Sequence, residues 1–490
     1  MSVARPEAAP TAPPVAPALS IVPDSTGPIV PDSTGLIVQD GTGLIVQDGT
    51  GPVDGGPPWL VREVELTDPL PDLAKQLRDR SRMTARLLVR LDTEPLGQLT
   101  FPVTPASTAA DLAARIAGEF AGPLAARGVS VVPATEPVAI PGGISPYRRS
   151  RARLLASAAR TTAVVCTHDR PEGLRRVLRS LLGQQFPDFE VLVVDNAPSD
   201  ARARQVVDEA ARRGPVRYVC EPRPGLSWAR NRAIEESAGE VLAWIDDDEV
   251  ADPWWLAELA RGLAAAPSVD AVSGVMVAAE MRTQAQLWFE EFGGHSKGRG
   301  FLPVVFTGSQ GQSPLFPLPP FGTGGNMAFR RAALERIGGF DPALGAGSPC
   351  RGCEDTLAFS QVLLYGGTVA YQPTALVRHF HREDLAGLRD QLVGYGLGLG
   401  AFYASVLRER PTRLLRLAAL APRAVREVVL GGGEREATLG PEFPRDLLAE
   451  NRRAMLAGPG TYLRARRAVR RELRAIRRES RTVGTGPQDL

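Results

Sequence analysis

The run Val241-Leu242-Ala243-Trp244-Ile245 ends abruptly in Asp246-Asp247-Asp248-Glu249. Five successive apolar residues have the length and character of a strand buried on both faces of a parallel sheet. Four carboxylates cannot stay inside such a sheet, because an unpaired buried charge is very costly. They are expected just past the strand's carboxyl end, the edge at which open α/β sheets bind ligands. Adjacent carboxylates repel one another and carboxylate oxygens suit hard ions, so the cluster makes sense if Mg²⁺ or Mn²⁺ joins it. The competing reading is a solvated acidic turn that caps a helix starting near Pro253.

The flanking chain favours the ligand site. From residue 161, strand and helix patterns alternate. Thr162–Cys166, Phe189–Val194 and Val216–Cys220 read as strands. Pro171 suits a first helical position, and Leu174, Val177, Leu178, Leu181 and Leu182 follow at helical period. A polar helix is expected over roughly 200–213, and another opens at Gly225. Such alternation implies a doubly wound parallel sheet. The loops 167–170, 195–200 and 246–249 then share one sheet edge, where a nucleotide would sit, which makes Asp169 and Arg170 candidates to line its pocket. Arg230 and Arg232, at the start of a helix, could face a diphosphate, which arginine geometry suits. The turn Gly322–Asn326 can bring backbone close to a ligand, which puts Gly325 and Asn326 beside a bound sugar. Glu354-Asp355 opens a helix running through Leu357, Phe359, Val362 and Leu363. Acids at that position serve either the helix dipole or chemistry. Trp254 and Trp255 are expected to pack a helix onto the sheet, and Cys166 and Cys220 to be small core residues.

The rest of the chain carries less chemistry. Its 490 residues allow two or three domains. Residues 1–57 are low complexity, with an octapeptide repeated four times from Ile21 to Pro52. One apolar pair per repeat cannot bury a core, so disorder is expected there. Residues 58–150 read as a small accessory domain, with Ala85–Leu91 and Gly97–Val103 as a hairpin and a helix from Ser107-Thr108; a linker is expected over 136–152. Residues 160–385 form the central domain, and 386–490 a helical, basic region with glycine interruptions. Its stretch Tyr462–Arg471 suits either an anionic membrane surface or solvent. Net charge of +2 gives no pull toward nucleic acid, and four cysteines make no disulfide scaffold. No apolar run approaches the roughly 18 residues that a membrane span needs. A cytoplasmic protein is expected, with the inner face of the membrane as a candidate location. Cys350 and Cys353 read as an incidental loop pair rather than half of a zinc site, which usually needs four ligands.

An ordered set of motifs resembles the family 2 glycosyltransferases. It comprises Thr167-His168-Asp169-Arg170-Pro171, Asp188–Val191, Val193–Asn196, Ala229-Arg230-Asn231, Asp246-Asp247-Asp248, Gly325–Arg330, Gly338–Asp341 and Glu354-Asp355. The resemblance spans roughly residues 160–385. It implies the GT-A fold, a doubly wound mixed α/β sheet, here with a small N-terminal α+β domain and a helical C-terminal region. It also implies a nucleotide-diphospho-sugar donor, a divalent metal and inversion at the anomeric carbon. Carried onto this chain, Asp195 would accept from the base's ring nitrogen and Thr167 would line the base pocket. Asp246 and Asp247 would lie near ribose and metal, and Asp248 would bind the metal directly. His379 and His381 follow the apolar run Thr374–Val377, and His379, ahead of His381, matches a metal-contacting histidine; an ordinary turn histidine is the alternative. Asp355 would be the catalytic base, with Glu354 beside the donor. Asn196 stands where family members often have a second Asp.

The expected function is an inverting, metal-dependent glycosyltransferase acting on an acceptor hydroxyl, with a lipid-linked acceptor as one candidate. Cell-surface glycan, glycolipid and secondary-metabolite glycosylation are the expected settings. The alternative is a non-catalytic sugar-nucleotide-binding or scaffold protein. A sugar nucleotidyltransferase is disfavoured, because it would carry a Gly-rich turn with Arg and a downstream Lys after the first strand.

Overall fold

The computed structural model describes residues 38–40, 43–45, 59–77, 80–296, 299–308, 321–409 and 439–483. Most of residues 1–57, for which disorder is expected, lies outside the described residues. Within that stretch, β1 (Val38–Asp40) pairs antiparallel with β2 (Gly43–Ile45).

A three-stranded sheet comes next. Strand β3 (Trp59–Glu65) runs parallel to β4 (Met83–Leu91), which turns back into β5 (Glu94–Val103). Asp92 and Thr93 close that hairpin with φ of 50° and 70°, as a tight two-residue turn demands. Both of their N–H groups are taken by the Glu65 carboxylate. Helix α1 (Ala109–Glu119) starts at the Thr108–Asp111 capping box and buries Leu112 and Ile116 against the sheet. A short helix, α2 (Ala121–Ala125), follows. The expected linker differs: α3 (Pro146–Leu155) begins inside it. Its Arg151 is 2% exposed and pairs with Glu258 of the central domain, so a stretch that reads as a linker docks through a buried charge.

The central sheet has nine strands. In chain order these are β6 (Thr161–Thr167), β7 (Phe189–Asn196), β8 (Val216–Glu221), β9 (Val241–Asp246), β10 (Glu249–Ala251), β11 (Val269–Ala278), β12 (Val304–Thr307), β13 (Asn326–Arg330) and β14 (Thr368–His379). The spatial order is β10-β14-β11-β13-β9-β6-β7-β8, with β12 also on β14. Strands β6 to β9 are mutually parallel. The sheet is mixed rather than all parallel because β13 inserts antiparallel between β9 and β11. Helices α4 (Pro171–Leu182), α5 (Arg202–Ala211) and α7 (Trp255–Leu263) cover one face. Helices α6 (Leu226–Glu236), α9 (Arg331–Ile337) and α10 (Glu354–Leu364) cover the other. Alternate residues of β6 supply the two cores: Ala163 and Val165 to one, Val164 to the other. Cys220 is exposed rather than buried because β8 is an edge strand.

The remaining α-helices among the described residues are α8 (Gln284–Glu291), α11 (Leu385–Glu409) and α12 (Arg445–Val483). The glycines of α11 do not interrupt it. A Cβ on Gly396 would strike the Asn451 carbonyl and one on Gly400 the Met455 carbonyl, so they let α11 and α12 pack backbone to backbone.

Candidate active site

The carboxyl ends of β6, β7 and β9 lie side by side, as parallel register requires: Cys166 is opposite Asp246, and Thr167 is opposite Asp195. The acidic run is not a simple turn into the next helix. After Asp246 the chain turns at once into β10, whose Glu249 pairs with His379 at the end of β14. Helix α7 begins later, at Trp255. Three chain segments thereby deliver acids and histidine to one place.

Asp247 is fixed by Thr167, whose hydroxyl donates at 2.7 Å, and by Arg170, whose Nη1 donates at 3.0 Å. The same Arg170 nitrogen donates to Asp248 Oδ2 at 2.8 Å. The other oxygen, Asp248 Oδ1, lies 3.5 Å from His379 Nε2. Burial pushes His379 down to about 4, so its ring is neutral near pH 7. Glu249 is fully buried; its Oε2 accepts from the Asp246 N–H at 3.1 Å, while Oε1 has no hydrogen-bond partner. Burial, with Asp246 and Asp248 close by, holds Glu249 well above the usual carboxylate range. Burial likewise pushes Asp246 up to about 7, against the pull of Arg230. The donor set of Asp248, Glu249 and His379, with ligand atoms within 4.8 Å of one another, fits a divalent cation: it offers hard oxygens, a neutral imidazole and an unanswered buried oxygen.

Gly324 and Gly325 pass between this cluster and Asp355. Asn326 is opposite Ile245 in the β13–β9 register, which sets Gly325 beside Asp246. A Cβ on Gly325 would strike Glu249 Oε1 and come within 2.8 Å of Asp246 Oδ2. One on Gly324 would meet Arg230 Nη2 at 2.7 Å and Asp355 Cβ at 3.1 Å. Only glycine allows backbone this close to both groups. Asp355 sits in the first turn of α10, where its Oδ1 accepts from Thr356 N–H at 2.6 Å.

Several expected contacts differ. Arg230 is 1% exposed and donates to Glu354 at 2.7 Å and to the Gly324 carbonyl at 3.1 Å. Arg230 and Glu354 therefore form a buried pair under the glycine turn, and Arg230 is not an open phosphate clamp. Arg232 pairs with Glu235 and Glu236 on its own helix. Asn326 spends its whole amide inside the protein: Trp255 Nε1 donates to its Oδ1, and its Nδ2 donates to the Val275 and Ala375 carbonyls. It positions Gly325 and has no polar atom left for a donor. Asp169, at φ 54°, points to the neighbouring loop and accepts from Ser199 N–H. Asn196 clips the next loop, accepting from Gly225 N–H and donating to the Arg223 carbonyl. Asp195 is fully buried; Oδ2 accepts from the Tyr218 hydroxyl at 2.9 Å and Oδ1 has no partner. Burial raises its pKa against that hydrogen bond. Cys350 is buried in an apolar cluster, and among the described residues no group of metal-ligating side chains includes a cysteine. Sequence reasoning counted Glu249 in the acidic cluster that a cation would join but missed its pairing with His379. It also missed His295 and Glu290, which approach His379 and His381 only through folding.

The Glycosyl transferase family 2 profile matches residues 162–338. The chain is 33% identical over 230 residues to the succinoglycan biosynthesis protein ExoM of Rhizobium meliloti, covering 46% of this chain and 68% of that protein. It is 25% identical over 192 residues to a glucosyl-dolichyl phosphate glucuronosyltransferase of Haloferax volcanii, covering 38% and 57%. Among solved structures, a Pyrobaculum calidifontis mannosyltransferase in complex with GDP-Man and Mn²⁺ aligns with a TM-score of 0.43 at 20% identity, over 64% of this chain and 93% of that one. The chain belongs to the family 2 glycosyltransferases. It is a glycosyltransferase acting on nucleotide-sugar donors.

Proposed function

We propose that the chain is an inverting, metal-dependent glycosyltransferase in which Asp355 is the base and Asp248 the principal metal ligand. The observation that carries this reading is that Asp248, Glu249 and His379 bring their ligand atoms within 4.8 Å of one another, with Asp246 beside them and Asp355 across the two-glycine turn. Asp248, with Asp246, Glu249 and His379, would hold Mg²⁺ or Mn²⁺. When bound, that ion supplies Lewis-acid stabilisation of the charge that develops on the leaving diphosphate. The protein's own residues do the rest. Asp195 Oδ1 accepts from the ring N–H of the base, and Thr167 and Arg170 fix Asp247 at the pocket wall. Asp355 takes the proton of the acceptor hydroxyl as that oxygen attacks the anomeric carbon from the face opposite the departing diphosphate. A single displacement needs one base and inverts the centre.

The test is calorimetric titration of UDP, GDP and dTDP with Mn²⁺, with Mg²⁺ and with chelator, for the parent and Asp248→Ala. Metal-dependent binding of one nucleotide, lost in the variant, supports the reading. Equal binding with chelator overturns its metal dependence.

We also propose a lipid-linked acceptor at an anionic membrane. Helix α12 exposes Leu456 and Leu463, at 69% and 47%, along an arginine-rich helix, the pattern of interfacial helices. No helix among the described residues is long and apolar enough to cross a membrane. Flotation with phosphatidylglycerol vesicles at low salt, lost in L456E/L463E, is the expected result.

A further inference from the structure

Three of the four histidines meet beside Asp248. The His295 and His379 rings are 4.4 Å apart and the His379 and His381 rings 5.0 Å apart, centre to centre. His379 Nδ1 and His381 Nδ1 face each other at 2.8 Å, both rings buried. His381 Nε2 lies 2.9 Å from Glu290 Oε1 on α8. Arg86 of β4 stands 3.9 Å from the other oxygen of that carboxylate, tying it to the N-terminal sheet. On the far side, His379 Nε2 faces Asp248 Oδ1 at 3.5 Å.

The protons in this chain can be counted. A neutral imidazole has one N–H and one lone pair, and an ionised carboxylate only accepts. A cation held by His379 Nε2 needs a lone pair there, so the ring proton sits on Nδ1 and is the one in the Nδ1···Nδ1 contact. His381 Nδ1 then accepts it, and His381 Nε2–H donates to Glu290. His379 Nε2 is left as a bare lone pair directed at a carboxylate oxygen, an arrangement that is favourable with a cation between the two. We propose that Glu290 and His381 are positioning residues that fix His379 in its Nδ1–H tautomer and so present its Nε2 lone pair for the divalent ion at Asp248. A hydrogen-bonded second shell of this kind orients a ligating histidine. The inference rests on the reading that Asp248 and His379 hold the cation. A metal gripped by the histidine Nδ1 atoms themselves fits less well: two nitrogens on one tetrahedral ion stand about 3.3 Å apart, and 2.8 Å is a hydrogen-bond distance.

The test uses the full chain labelled with ¹⁵N-histidine, read by long-range proton–nitrogen correlation. Four histidines give four spin systems, assigned with H168Q, H295Q and H381Q. The expected result is Nδ1–H with a bare Nε2 for His379, and Nε2–H for His381. A proton on His379 Nε2 overturns the proposal, and because the parent protein reports it, no variant need fold for this arm to decide. Titration with Mn²⁺ alone, followed by electron paramagnetic resonance, is the second arm. H381L and E290L are expected to weaken binding about tenfold to a hundredfold, and H381Q, whose amide oxygen can accept from His379, to recover most of it. Unchanged affinity in H381L overturns the relay. Asp248→Ala run alongside separates the two levels: loss there without loss in H381L removes the relay alone, whereas no loss in Asp248→Ala removes the cation site and the relay with it.

Discussion

Two groups of buried charge lie only a few residues apart along the chain and are treated in opposite ways. At the seam between the N-terminal sheet and the central domain, Asp252 pairs with Arg90 and Arg378, and Glu63 binds the same two arginines. Glu258, 1% exposed, is held by Arg151 at 3.3 Å and Arg261 at 2.8 Å, and accepts from the Thr374 hydroxyl at 2.8 Å. In the acid cluster, by contrast, Asp246 and Glu249 are raised by burial and by neighbouring acids, and a Glu249 oxygen has no hydrogen-bond partner. Buried acids matched by arginines hold one part of the fold to another. Buried acids left in excess raise the energy of the free protein, which a bound cation lowers again.

The largest expected effects come from breaking each side of this contrast in turn. Asp355→Asn should lower turnover by about 10²–10⁴-fold, the usual contribution of a general base, while nucleotide binding and melting temperature stay near the parent's. Steady-state kinetics beside calorimetry checks this, and equal turnover would sink the assignment of the base. Glu258→Ala should do the reverse. It leaves the buried Arg151 and the half-buried Arg261 short of a partner and should cost about 3–5 kcal/mol of stability, read by denaturant unfolding. If that variant unfolds like the parent, the seam is not held by its charges.

What could be read from the chain follows the same division. The ends of β6, β7 and β9 were legible because each apolar run stops at a polar residue, and parallel register brings those stops together. The hairpin β4–β5 and the start of α1 were legible from local signals. Strand β10 was not, since its three residues hide in the tail of the acidic run and are defined by pairing with β14, far along the chain. Helix α3 was not, because most of it falls in a stretch whose composition reads as a linker, and its docking depends on Glu258, far along the chain. Asn326 was misread for the same reason: a polar residue in a glycine turn suggests a ligand, but its partners Trp255, Val275 and Ala375 come from three other elements. Short-range patterns disclosed where the candidate site lies; the partners that decide each polar side chain's contacts are long-range.

A finer test concerns Asp195. Burial raises its pKa, so its protonated form persists above the ordinary carboxylate range. The group's contribution to stability therefore grows as pH falls through that raised value. A base's ring N–H needs the ionised form, so nucleotide binding should strengthen as pH rises through the same range. Asp195→Asn should weaken the preferred nucleotide by about 1–3 kcal/mol, the cost of a lost buried hydrogen bond, and should flatten that pH dependence. Calorimetry at several pH values measures both effects. A parent affinity that does not change with pH would mean that Asp195 is not the base's acceptor.

The smallest expected effect sharpens the comparison most. Glu249 and Glu258 are both fully buried carboxylates, so a shared penalty for removing a buried acid would make Glu249→Gln and Glu258→Gln equally harmful. The two environments argue otherwise. Glu258 answers two arginines, and its amide replacement leaves them unbalanced. Glu249 sits among other acids with one oxygen unanswered, and its neutral replacement relieves repulsion. In chelator, Glu249→Gln should therefore unfold within about 1 kcal/mol of the parent, on the stabilised side, since removing an uncompensated buried charge is neutral or favourable. The same variant should bind Mn²⁺ more weakly, having lost an anionic oxygen of the cluster. Denaturant unfolding in chelator and Mn²⁺ titration of one preparation give both readings. A large loss of stability in chelator would show that Glu249 is structural, and the cation would then depend on Asp246, Asp248 and His379 without it.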